Sequence, residues 1–306
     1  CGTSYPPFGT CPRNRIKRTA SRKVNGSPMS PNDFSLTVGN PDQWRAFGER
    51  NRAFFERLDN LTGTFRLVFT RDWASDKPID HVVFSAGFLA IDDFLELLLV
   101  CGNAEAAAAQ KLLRPMFERL VTLKYLAAHP EELDLYLDYH WIAKRKFNTA
   151  VENAFGPDLV SPETKQDVNE NVARVKANYT IQACDKCSAT KLNFTWSPKD
   201  MITMAREVGM DNYIVPAYYI PMQFTHPTVA GMLSRLQLTA EGFSFTSRFD
   251  PDMSDRILSA GHALALEAIK VQVDHFQLDQ SLWTHAEAEY IAIWQKRPDE
   301  STGNRI

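Results

Sequence analysis

The sequence predicts an all-α protein, a single bundle of about eight or nine helices with one short β-hairpin near residues 236–247. Three observations support this prediction. Apolar residues recur every three or four positions through most of the chain, as in helices that bury one face. Proline and glycine stand where these periodic stretches begin and end. The composition, with 44% hydrophobic and 23% charged residues, is typical of a folded globular chain.

The helices are predicted in order from these boundaries. The predicted ranges are 42–69, 79–101, 106–128, 131–155, 162–182, 198–208, 213–224, 252–278 and 281–295. Pro41 and Pro78 stand immediately before the first two ranges and open these helices, and Gly102 ends the second. Because the link to the third helix is short, we expect the second and third helices to pack as an antiparallel pair.

The later elements depend on weaker signals. The fourth helix carries five large apolar residues on one side, namely Leu133, Leu137, Trp141, Phe147 and Val151. The helix over 162–182 is much more polar and is expected at the periphery. Pro216 and Pro221 must kink or divide the helix over 213–224. Apolar and polar residues alternate on both sides of Ala240-Glu241-Gly242, which predicts the hairpin.

Charge divides the chain into two parts. Residues 1–38 carry six basic residues and one acidic residue, a net charge of +5, which leaves −8 for the other 268 residues. This proline-containing segment has too few aliphatic residues to offset its ordering entropy, so we expect a flexible basic arm. Residues 39–297 are predicted to form one helical domain and 298–306 a disordered tail.

Five scattered cysteines do not form a disulfide framework, which favours a reducing, cytoplasmic location. Cys184 and Cys187 have zinc-knuckle spacing, but no second ligand pair accompanies them. The most apolar stretch, 82–101, contains three acidic residues, so no membrane span is predicted. The common phosphate-loop, dinucleotide, nucleophile-elbow and zinc-helix motifs are all missing from the sequence. We therefore predict no cofactor and no metal.

Polar residues inside otherwise apolar segments are the candidate functional residues, because burying an unpaired charge costs several kcal/mol. Arg114 and Glu118 lie one turn apart in the third predicted helix and bracket Pro115. Tyr218 and His226 lie in the segment Tyr-x7-His-Pro-Thr. Together these patterns resemble a bacterial family of helical proteins catalogued only as a domain of unknown function.

The resemblance covers roughly residues 45–285 in element order. It implies that Arg114, Glu118 and His226 correspond to the Arg-x3-Glu and the histidine of that family. Members often carry serine four residues before the histidine, where this chain has Met222. Because the family has no established activity, the resemblance implies a fold and candidate positions but no reaction.

Two functions remain open. The first is a non-enzymatic interaction or regulatory module, in which Arg114, Glu118, Tyr218 and His226 are a polar network holding helices in register. The module could be defence-associated and could act through a homodimer or a protein partner. The alternative is a metal-independent ribonuclease, similar to the HEPN superfamily, or another phosphate-ester enzyme. There, Arg114 would bind phosphate and His226 would transfer a proton.

Two further patterns are typical of proteins that cleave or bind RNA. Arg256-x5-His262 falls within the Arg-x4–6-His spacing of HEPN ribonucleases, although chance explains this match and His262 lies on an apolar stripe. Lys144-Arg145-Lys146 could form a nucleic-acid patch, but a solvated helix face is the simpler interpretation. Because the body is acidic, any RNA binding must come from the basic arm or from a local cleft.

Overall fold

The computed structural model describes residues 40–183, 189–226, 228–233, 236–239, 242–245 and 250–294. Most of these residues are helical, which confirms the predicted all-α class. The predicted basic arm over 1–38, the cysteine pair at 184 and 187, and the predicted tail over 298–306 lie outside the described residues.

The predicted first helix is divided into three. They are α1 (Pro41–Arg50), α2 (Arg52–Phe55) and α3 (Leu58–Phe69). Asn51 separates the first two with a non-helical ψ of 29°. Its buried amide donates to the Phe47 carbonyl and, at 2.7 Å, to Asp255 Oδ1. This side-chain bonding competes with the helical backbone and explains the first break.

The centre of the fold is built from α4 (Pro78–Gly102), α5 (Ala106–Ala128) and α12 (Pro251–His275). These three helices pack against one another and supply most of the main hydrophobic core. Two glycines permit the close approach. A Cβ on Gly261 of α12 would lie 2.9 Å from Leu97 Cδ2, and one on Gly87 of α4 would lie 2.3 Å from Gln272 Nε2. Neither position has room for a larger residue.

A second, smaller core lies between α6 (Leu133–Phe155) and α7 (Pro162–Val175). Here the structure corrects the helix predicted over 162–182. The α-helix ends at Val175, and Thr180–Gln182 forms strand β1, paired antiparallel with β2 (Thr190–Leu192). The β-branched Thr180 and Ile181 favour this extended conformation. On α6, Leu133 of the predicted apolar side is buried, whereas Leu137 and Phe147 are exposed.

Shorter elements connect this region to the end of the chain. They are α8 (Met201–Glu207), α9 (Asp211–Ile214), a π-helical segment (Val215–Tyr219), α10 (Ile220–Thr225) and α11 (Val229–Leu233). The short helix predicted to begin at Pro198 begins instead after Asp200, whose carboxylate accepts from the Thr203 N–H. The break expected from Pro216 and Pro221 takes the form of the π segment.

The predicted hairpin is confirmed. It consists of β3 (Leu236–Thr239) and β4 (Gly242–Phe245), with Leu236 paired to Phe245 and Thr239 to Gly242. The last described helix is α13 (Ser281–Trp294), which packs on α12 and α3. Among the helices that the structure describes, none has the length and apolar character needed to cross a bilayer.

Candidate functional site

Arg114 and Glu118 form an ion pair on α5. They are four residues apart and therefore share a helix face. Arg114 Nε lies 2.7 Å from Glu118 Oε1, and the two side chains are 18% and 35% exposed. The pair is thus partly shielded from water, and the carboxylate fixes one edge of the guanidinium.

His226 and Tyr218 complete the cluster from a distant part of the chain. Arg114 Nη1 lies 3.3 Å from His226 Nε2. The guanidinium carbon of Arg114 lies 4.8 Å from the ring centre of Tyr218, which is a cation–π distance. The structure therefore brings together the four residues singled out from the sequence. We call them the Arg114 cluster.

The local sequence explains how His226 and Tyr218 reach Arg114. The π segment is a rare geometry, frequent at functional sites, and it contains Tyr218. His226 ends α10 in an extended conformation, with φ −106° and ψ 153°. This is the conformation that a following proline imposes, and Pro227 follows in the sequence. The chain thus leaves the helix at His226, whose side chain is exposed beside α5.

The hydrogen bond between Arg114 and His226 determines the tautomer of the imidazole. A guanidinium nitrogen can only donate. Nε2 must therefore accept, and the neutral ring carries its proton on Nδ1. In this state the Nε2 lone pair is occupied, and Arg114 is engaged through Nε, Nη1 and the face of its guanidinium.

Two clefts flank the cluster. The first, which we call the His226 cleft, has a volume of about 370 Å³. Its described lining residues are Ala107, Lys111, Gln223, Phe224, His226, Thr228, Val229, Gly231 and Met232. The second has a volume of about 480 Å³ and includes Glu118, Arg119 and Tyr136 in its lining. No carboxylate is among the described residues that line the His226 cleft.

Sequence reasoning missed Lys111. This exposed lysine lies three residues before Arg114 on α5 and lines the His226 cleft. The signal that could have found it is its spacing, since residues 111, 114 and 118 follow one another at three and four positions. Met222 contacts His226 through its backbone, because its carbonyl accepts from the His226 N–H at 3.2 Å.

The Arg256-x5-His262 pattern does not form a solvent-facing pair. His262 is 2% exposed, whereas Arg256 is exposed. Six positions along a helix place the two residues on different sides. Trp294 Nε1 donates to His262 Nδ1 at 3.1 Å, and burial lowers the pKa of His262 to about 4. His262 is therefore a neutral core residue, as its position on an apolar stripe predicted.

Metal ligation has no support in the described part of the chain. There, no group of three or more histidine, cysteine, aspartate or glutamate side chains is arranged to hold a metal ion. Cys101 is buried, and burial raises the pKa of its thiol.

Comparison of the sequence with known proteins identifies the family to which the chain belongs. The model of a family described as "Family of unknown function (DUF5677)" matches residues 90–243, which is half of the chain and includes the whole Arg114 cluster. The chain belongs to this family. No curated protein matches it, and no solved structure matches it. The resemblance to a helical family of unknown function is thereby confirmed. For DUF5677, the match extends from the second half of α4 to the first residues of β4.

Proposed function

We propose that this DUF5677 protein is a non-enzymatic module that binds a phosphate-bearing anion in the His226 cleft. The observation that carries the proposal is the lining of this cleft. Lys111 and His226 supply nitrogen donors, and the described lining contains no carboxylate. An anion entering the cleft therefore meets donors without meeting a like charge.

The charge of the rest of the molecule makes this cleft selective. The 268 residues after the basic segment carry a net charge of −8, which disfavours anions at most of the surface. Elsewhere in the described residues, cations are often neutralised by ion pairs, as Arg119 is by Asp93 at 2.9 Å and Lys124 is by Glu267 at 2.6 Å. Lys111 has no ion pair within the described chain and is exposed beside His226, so it can bind a ligand.

The same geometry favours binding over catalysis. A general base needs a free lone pair within reach of the substrate. The Nε2 lone pair of His226 already accepts from Arg114, and Glu118 already holds Arg114. Arg114 and Glu118 then act as positioning residues, because they hold the imidazole at the cleft with Nδ1–H free to donate.

Isothermal titration calorimetry with inorganic pyrophosphate tests this proposal. We expect the wild type to bind, and Lys111→Ala and His226→Ala each to weaken binding about tenfold, the effect of losing one charge-assisted hydrogen bond. Lys176→Ala removes an exposed lysine away from the cleft and should bind like the wild type. Absence of binding by the wild type, or equal weakening by all three variants, would refute the proposal.

A second candidate is a phosphate-ester enzyme, such as a HEPN-like ribonuclease, that uses Arg114 and His226. The observation that favours it is an exposed imidazole 3.3 Å from a guanidinium at the edge of a cleft. Incubating total RNA with the wild type and with His226→Ala separates the two candidates. Cleavage by the wild type alone would favour the enzyme. Equal cleavage by both proteins, or cleavage by neither, removes the catalytic role.

A further inference from the structure

Helix α6 carries three large apolar side chains that are exposed in the described structure. Its buried Ile142 belongs to the second core, which α6 shares with α7. Roughly half a turn away around the helix, Leu137 is 42% exposed, Phe147 68% and Phe155 74%. Large apolar side chains in a contiguous exposed stripe mark interaction sites more often than isolated exposed ones do.

The spacing of this stripe is that of a helix-packing seam. Its positions are Leu137, His140, Lys144, Phe147, Val151 and Phe155, separated by three or four residues. We call this set the α6 face. At 100° per residue, these positions span an arc of about 80° over a length of about 27 Å. An arc this narrow fits the seam between two packed helices, whereas a helix lying in a lipid surface needs a wider apolar side.

The α6 face holds one basic residue, Lys144. Lys144 Nζ lies 5.0 Å from the ring centre of Trp141 and 3.9 Å from Asp167 Oδ2, a long and weak ion pair. The next residue, Arg145, lies outside the arc of the α6 face. Lys144 and His140 are the ionisable residues among these six positions.

This charge disfavours a second copy as the occupant. In a parallel pair of α6 helices, Lys144 would face its own copy directly. In an antiparallel pair centred on Phe147, the two lysines would be about 9 Å apart along the axis, which is about one Debye length. A parallel pair would therefore bring like charges together and an antiparallel pair would leave each Lys144 without a counter-charge, whereas a partner with carboxylates at this point would be attracted.

We propose that the α6 face docks an acidic amphipathic helix of a partner protein. The partner's apolar residues would pack between Leu137, Phe147 and Phe155, and a carboxylate would pair with Lys144. This site is separate from the His226 cleft, so either proposal can fail without the other.

Fluorescence anisotropy with two labelled synthetic peptides tests the docking proposal. One helical peptide carries leucines at the same three-and-four spacing with glutamates around them, and its matched control carries lysines in place of the glutamates. The acidic peptide should bind the full chain, and Phe147→Asp should weaken this binding about tenfold or more. Lys144→Glu should weaken the binding of the acidic peptide and strengthen the binding of the basic one.

Phe194→Asp is the control variant. Phe194 is 78% exposed but lies after β2, near Lys146 and Tyr139 rather than on the α6 face. Its substitution should leave binding unchanged, and circular dichroism should show that every variant is folded. Equal binding of both peptides, binding of neither, or an equal loss in Phe194→Asp would overturn the proposal. The proposal would also be overturned if Phe147→Asp left peptide binding unchanged and abolished another interaction. These interactions are self-association measured by sedimentation, binding to oligouridylate, and binding to phosphatidylserine vesicles.

Discussion

The burial of His262 predicts a specific loss of stability in acid. The ring is enclosed by the aromatic side chains of Phe54, Phe94, Tyr290 and Trp294. Burial lowers its pKa from 6.5 to about 4, because the charged imidazolium would lose its hydration. Protonation at Nδ1 would also remove the acceptor that Trp294 Nε1 uses.

The sign and the size of the effect follow from these pKa values. Above the unfolded value of 6.5, neither state binds a proton at His262, and the group contributes nothing to the pH dependence. As the pH falls below 6.5, only the unfolded chain takes up the proton, so the free energy of unfolding decreases. At about pH 4.5 the loss from this one group is about 2.5 kcal/mol.

Urea unfolding between about pH 7.5 and about pH 4.5 measures this loss when the wild type is compared with His262→Gln. Glutamine does not titrate, and its carbonyl can accept from the indole. We expect the stability difference between the two proteins to change by about 2.5 kcal/mol across this range, in favour of the variant at low pH. His285→Gln, at an exposed histidine, should follow the wild-type curve. Parallel curves for His262→Gln and the wild type would refute the reasoning.

Two further predictions concern the central helices. Gly87→Ala should lower the free energy of unfolding by about 1–3 kcal/mol, because the new Cβ would lie 2.3 Å from Gln272 Nε2. The control is Gly63→Ala, where the new Cβ would have no atom within 4 Å. In the same urea titrations this variant should raise the free energy of unfolding by about 0.5–1 kcal/mol. A hydrogen bond from Ser75 lowers the pKa of Asp80, so Asp80→Asn should be less stable than the wild type at neutral pH. That difference should disappear as the pH falls through the folded carboxyl pKa, and a difference independent of pH would contradict this origin.

The sequence predicted the central helices well because their ends carry strong local signals. Proline at the start of α4 and Gly102 at its end determine its range almost to the residue. The division of the first predicted helix was not predictable in this way, since it depends on Asn51 bonding to Asp255, 204 positions away. Strand β1 was missed for a different reason, because its three residues are too few to show an alternating pattern.

The candidate site was predictable in part. The spacing of Arg114 and Glu118 is local and could be recognised directly, while His226, 112 positions away from Arg114, was connected to them only through the family resemblance. Periodicity also placed Leu137 and Phe147 on one side of α6. It could not show that these two side chains face solvent, because a pattern reveals which residues share a face but not what covers that face.

The anion site beside the Arg114 cluster is tested most directly by the imidazole resonances of the seven histidines during a titration with inorganic pyrophosphate. The spectrum of His226→Gln assigns the His226 resonance by its disappearance, and buried His262 serves as an internal reference. We predict that the His226 resonance shifts in a saturable manner while that of His262 stays in place. A His226 resonance that does not move, or one that moves no more than the other exposed histidines, would contradict the account.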